Sequence, residues 1–152
     1  MKRFLVLMFL GGLLAAATKF APPSSAMSLS QVISTIQNSG GVYVRAGASL
    51  SGADCSGLVS VAQSLAMGQA PHRLGDTHSL LAGRWPNAIP GAQQDDLFII
   101  GVNPAHMVAR VNGVNIEATT SGRPFLVGAQ AADPFSPRFT SVYHIDPAVL
   151  MV

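Results

Sequence analysis

One cysteine stands among 152 residues, so neither an internal disulfide nor a cysteine-built zinc cage can form. Charge is almost as scarce. Asp, Glu, Lys and Arg make up 11% of the chain, against 49% hydrophobic residues. A chain so apolar and so poorly charged is not a disordered one. Nine Lys and Arg face seven Asp and Glu, for a net charge of +2. Lys2, Arg3 and Lys19 all lie in the first twenty residues, and without them six cations face seven anions, or −1. No basic stripe is left to hold nucleic acid. The apolar run from Phe4 to Ala17 has 14 residues, short of the roughly 20 that cross a bilayer core. Repeats and low-complexity tracts are absent, and the length suits one domain.

What is present begins with an N-terminal segment, 1–26, laid out as an export signal. Lys2 and Arg3 give a charged start, the 14-residue run follows, Pro22 and Pro23 break it, and Ser24-Ser25-Ala26 offers a small-x-small cleavage site. An uncleaved anchor is the competing reading. A true start at Met27 is a third, with the protein then carried by a virion or holin. Residues 27–152 remain as a single domain, secreted or associated with the cell wall. A lone cysteine in an exported chain is either a small buried hydrophobe or a reactive thiol.

The mature chain reads as helices first and strands later. Ser28 to Asn38 has apolar residues at helical spacing and Ser28 or Ser30 to cap it. Val42 to Arg45 is a short β-like piece before the turn-rich GASLSGAD. Asp54 caps the clearest helix, which carries Leu58, Val59, Ala62, Leu65 and Ala66 on one face and stops at Gly68. A further helix is expected over Thr77 to Gly83, capped by Asp76, and a loop over Arg84 to Gln94. Strands are expected at Leu97 to Val102, Ala105 to Val111, Val114 to Thr120 and Thr140 to Ile145. That order gives an α+β fold, with helices packed on a small antiparallel sheet.

Cys55 falls at the first turn of the Asp54-capped helix, where free N–H groups and the helix dipole favour a thiolate. A thiol titrating well below its free value is therefore expected, and a thiolate attacks carbonyls. The nucleophile needs a base. His72 and His78 lie in the loop–helix region, and with Asp76 they match no known metal-ligand spacing. His144 lies on the last strand. His106 begins a strand whose partner can be placed by counting. A two-residue Asn112-Gly113 turn sets Val111 opposite Val114, and hence His106 opposite Thr119. His106, Val108, Arg110, Asn115, Glu117 and Thr119 then share one sheet face, with Glu117 diagonal to His106. Glu117 orients the imidazole in this reading; Asn115 and Thr119 are the alternatives, and pairing of Glu117 with Arg110 is the purely structural one.

Tyr43-Val44-Arg45-Ala46-Gly47 together with Gly52-Ala53-Asp54-Cys55-Ser56-Gly57-Leu58-Val59 resembles the nucleophile segment of the NlpC-type cysteine peptidases. These are papain-like enzymes that cut the peptide stems of bacterial peptidoglycan. Asp95-Asp96-Leu97-Phe98 resembles the entry to their first strand, and His106 and Ile116-Glu117-Ala118 resemble the base strand and the third catalytic position. The resemblance implies Cys55 as nucleophile, His106 as base and Glu117 as third residue. It implies that Tyr43 lines the site and that Asp54 and Ser56 hold a free amine of the substrate. Arg45 stands where the family commonly has an aromatic, and Ala46 and Asp95 where it commonly has glycine. The implied protein is a monomeric cysteine hydrolase of peptidoglycan stem peptides, needing no metal or other cofactor and not inserted in a membrane once its signal is removed. A Cys-His amidase cutting between sugar and stem, and an inactive or phage-tail wall-docking module, are the alternatives.

Overall fold

The computed structural model describes residues 27–150; the expected export signal, 1–26, lies outside the described residues. Helix α1 spans Leu29–Asn38 and is started by Ser28, whose hydroxyl accepts from Gln31 N–H while the Gln31 side chain reaches back to Ser28 N–H. Its Leu29, Val32, Ile33 and Ile36 are buried. Two two-residue strands follow, β1 (Val42–Tyr43) and β2 (Gly52–Ala53), paired in parallel. This pairing lies inside a stretch whose composition reads as turn, because only the closing of the loop onto itself creates it.

Helix α2, Cys55–Ala66, is capped by Asp54 accepting from Gly57 N–H and ends at Met67 before Gly68 with φ 73°. It is buried from Ser56 onward. Three of its buried residues are serines at four-residue spacing: Ser56, Ser60 and Ser64. They form a polar stripe that receives the returning chain. Ser64 Oγ meets His72, Ser60 Oγ accepts from Leu74 N–H at 3.0 Å, and Ser56 Oγ accepts from Arg73 Nη1 at 3.0 Å. The segment after α2 is thereby laid back along it, toward its N-terminus. Helix α3 is Thr77–Leu81, shorter than expected, again capped by Asp76.

The sheet has six antiparallel strands in the order β3-β8-β4-β5-β6-β7. These are β3 (Ala88–Pro90), β4 (Phe98–Asn103), β5 (His106–Val111), β6 (Val114–Glu117), β7 (Leu126–Val127) and β8 (Ser141–Ile145). The β5–β6 hairpin has the expected register, with Val111 opposite Val114 and Arg110 opposite Asn115. Asn112 and Gly113 have φ of 48° and 80°, as a type I′ turn requires. Two expectations fail here. The expected loop Arg84 to Gln94 contains edge strand β3, ending on Pro90, a residue tolerated only where no ladder donor is needed. Strand β6 ends three residues earlier than expected.

The sheet buries both faces. Phe98, Ile100, Val102, Met107, Ala109, Val111 and Ile116 join α1 and α2 in the main core. The alternate residues Ile99 and Val108 are also fully buried. On that second face Gly101 leaves room for Pro134, which a Cβ would approach to 2.6 Å, so the segment 128–140 lies tightly on the sheet.

Candidate active site

Cys55 is the first residue of α2, and its local frame is set by Asp54. The carboxylate accepts from Gly57 N–H at 2.7 Å through Oδ1 and from Ala46 N–H at 3.0 Å through Oδ2, tying the turn after β1 to the helix start. Gly57 is required by that closeness, because a Cβ there would overlap the Gly47 carbonyl. Ala46 is held at φ 61°, a left-handed conformation that glycine adopts without strain.

Opposite the helix start, His106 opens β5. The main chain of its neighbour Met107 hydrogen-bonds to the Cys55 sulfur, which brings the thiol to the start of the histidine strand. His106 Nε2 lies 2.9 Å from Glu117 Oε1. Glu117 is buried and held by two further donors, Ala132 N–H at 2.7 Å on Oε2 and Arg138 Nη2 at 3.2 Å on Oε1. Burial alone would raise its pKa. The hydrogen bonds from Ala132 and His106, with the charges of His106 and Arg138, outweigh burial and hold it below its ordinary value. Glu117 is therefore an anion that can only accept, so Nε2 carries a proton toward it, and in the neutral form of the ring the lone pair is on Nδ1. Nδ1 has no hydrogen-bond partner among the described residues. The ring also stacks on Phe139, with centroids 6.2 Å apart.

The purely structural alternative for Glu117 fails. Arg110 pairs instead with Asp133 at 2.9 Å and with Asn115 Oδ1 at 2.9 Å. Asn115 is thus engaged away from His106.

One expectation is corrected. The Cys55 thiol does not titrate low: burial pushes its pKa above the ordinary 9.0, and the Asp54 charge adds to this. The N–H groups of Met107, Ser56 and Cys55 itself act in the opposite direction without prevailing. The helix N-terminus is real, but desolvation of a thiolate costs more than it returns. Asp54 and Ser56, expected to hold a substrate amine, meet a cation of the chain itself. Arg73 already lies on both, donating from Nη2 to Asp54 Oδ1 at 2.9 Å and from Nη1 to Ser56 Oγ at 3.0 Å. The same guanidinium reaches Gly47 O at 2.8 Å and Gly75 O at 3.2 Å. The pair's charge is matched within the chain itself.

Tyr43 lies within electrostatic reach of the thiol. Burial, then the negative charges of Cys55 and Asp54, push its hydroxyl pKa up and keep it a neutral donor. Among the described residues that hydroxyl has no hydrogen-bond partner. His72, His78 and His144 stand apart: His72 meets Ser64 and Ala70 O, His78 lies on α3, and His144 Nδ1 lies 2.7 Å from Gly91 O. No group of three His, Cys, Asp or Glu that could hold a metal ion occurs among the described residues. None of their helices is long and apolar enough to cross a membrane.

Sequence reasoning missed Arg73, Arg138 and Phe139. The serine stripe at four-residue spacing on an otherwise apolar helix was the available signal for the first, since it requires a polar segment to run beside it. Nothing in the sequence marks the other two. No family model matches the chain, and no curated protein matches it. Among solved structures it is similar to the NlpC/p60 domain of the peptidoglycan hydrolase SagA, at 19% identity and a TM-score of 0.47, over 79% of this chain and 99% of that one.

Proposed function

We propose that the chain is a cysteine hydrolase that cuts amide bonds in the peptide stems of bacterial peptidoglycan, acting outside the cell or at its wall. The observation that carries this reading is the Glu117–His106 contact beside a helix-terminal cysteine. It leaves the ring's Nδ1 without a hydrogen-bond partner among the described residues.

In this mechanism His106 Nδ1 takes the Sγ proton as Cys55 attacks the substrate carbonyl. The raised thiol pKa makes this a coupled step, with no thiolate stored in the resting chain. Glu117 keeps the ring in the correct tautomer and stabilises the imidazolium. The oxyanion meets the N–H of Cys55 and the Tyr43 hydroxyl. Collapse expels the amine, which receives the Nδ1 proton, and leaves a thioester. Water, deprotonated by Nδ1, then frees the acid and restores the thiol. Asp54 and Ser56 serve here through Arg73 as a clamp on the nucleophile loop.

The test is release of peptidoglycan fragments identified by mass, with Cys55→Ala and His106→Ala as controls. Loss of release in both supports hydrolysis at this site. One observation favours a second reading, a wall-docking module: the thiol is partly buried and burial raises its pKa. Wall binding without fragment release, and a Cys55 that alkylates only after denaturation, would select it.

A further inference from the structure

Arg138 sits where the base and its orienting carboxylate reach the surface. Its Nη2 donates to Glu117 Oε1, the same oxygen that His106 Nε2 meets. The guanidinium lies over the Phe139 ring, 4.9 Å from its centroid, and Phe139 in turn stacks on His106. The group is thus held from two sides, yet its side chain is 50% exposed. Among the described residues the Glu117 contact is the one hydrogen bond its guanidinium makes, so the rest of its N–H fork is unpaired. Arg73 differs, with both of its terminal nitrogens engaged. Asp133, the carboxylate of the 128–140 segment, is taken by Arg110.

A planar fork of unpaired N–H groups, braced and half in water, matches a carboxylate. We infer that Arg138 binds a carboxylate carried by the substrate on the leaving-group side of the scissile amide, an inference that rests on the hydrolase reading above. The side is part of the inference: the ring hands its proton to the departing nitrogen, and Arg138, joined to that ring through Glu117 and Phe139, is assigned to the same side. A carboxylate held there adds to substrate binding; the proton passed from Cys55 to His106 leaves its negative charge on the sulfur and then on the oxyanion, so the net charge of the site is unchanged and the preference is read in kcat/KM.

The experiment gives the full chain two synthetic stem peptides that differ only in a carboxylate or a carboxamide on the residue leaving as the amine. Wild type, Arg138→Gln and Arg138→Lys are compared by kcat and KM. The same peptides are titrated calorimetrically into Cys55→Ala and into Cys55→Ala with Arg138→Gln, so that binding is read where no bond is cut. Wild type is expected to favour the carboxylate peptide by roughly tenfold in kcat/KM, the scale of one charge-assisted hydrogen bond. Arg138→Gln should bring that ratio near one, and Arg138→Lys should keep part of it. Equal losses on both peptides would make Arg138 a prop for Glu117 and overturn the inference. A binding preference that is absent, or that survives Arg138→Gln, would overturn it too. Arg138-dependent binding without hydrolysis would leave the subsite standing and overturn the hydrolase reading instead.

Discussion

Glu117→Gln keeps the volume of a side chain in a residue that is 5% exposed and removes its charge. The carboxylate takes Ala132 N–H on one oxygen, and His106 Nε2 and Arg138 Nη2 on the other. An amide accepts on one end and donates on the other. Whichever way it turns, its NH2 faces a donor: Ala132 in one orientation, His106 and Arg138 in the other. A buried donor left unpaired costs about 1–3 kcal/mol, and that is the expected loss in unfolding free energy. The imidazolium also loses its counter-ion, so turnover should fall at least about tenfold, or about 1.4 kcal/mol in barrier. Urea unfolding read beside peptidoglycan fragment release separates the two effects. A destabilised variant with unchanged turnover would refute the orienting role and leave Glu117 as a strut for the 128–140 segment. Unchanged stability would refute the hydrogen-bond accounting itself.

Acid should destabilise the fold through the same group. The folded pKa of Glu117 lies below its ordinary 4.5, so its contribution is present above that value and is lost as pH falls through the lowered one. Glu117→Gln should flatten that part of the stability–pH curve. Arg73→Gln removes the cation that offsets Asp54, and it should push the Cys55 thiol still higher, seen as iodoacetamide alkylation displaced to more alkaline pH. Its stability cost should stay below about 1 kcal/mol, because the pair is partly exposed. Ala46→Gly relieves a left-handed alanine. Strain of about 1–2 kcal/mol is removed and the freer unfolded chain takes part of it back, so a gain below about 1 kcal/mol in urea unfolding is expected.

The parts of the site legible in the sequence are those governed by local rules. Asn112-Gly113 admits a two-residue turn, the turn sets the register, and the register puts His106 and Glu117 on one face. Asp54 before an apolar helical run announces a cap, and with it the place of Cys55. What escaped depends on chain segments meeting from far away. Strands β2, β3 and β7 are two or three residues long and exist only because a neighbour is there to pair with. Arg73 reaches Asp54 from 19 residues away, and Arg138 reaches Glu117 from 21. The thiol's titration went the opposite way for the same reason. A helix N-terminus can be read from spacing, whereas the burial that opposes it is assembled by the whole fold.

The most direct test of the central claim is the mass of the intact protein, quenched in acid while it is turning over a stem peptide. Attack by Cys55 predicts a thioester adduct, heavier by the released acid fragment less one water, mapping to the peptide that contains Cys55 and absent from Cys55→Ala. Fragment release that persists in Cys55→Ala, or turnover with no adduct on Cys55 under any quench, would contradict it.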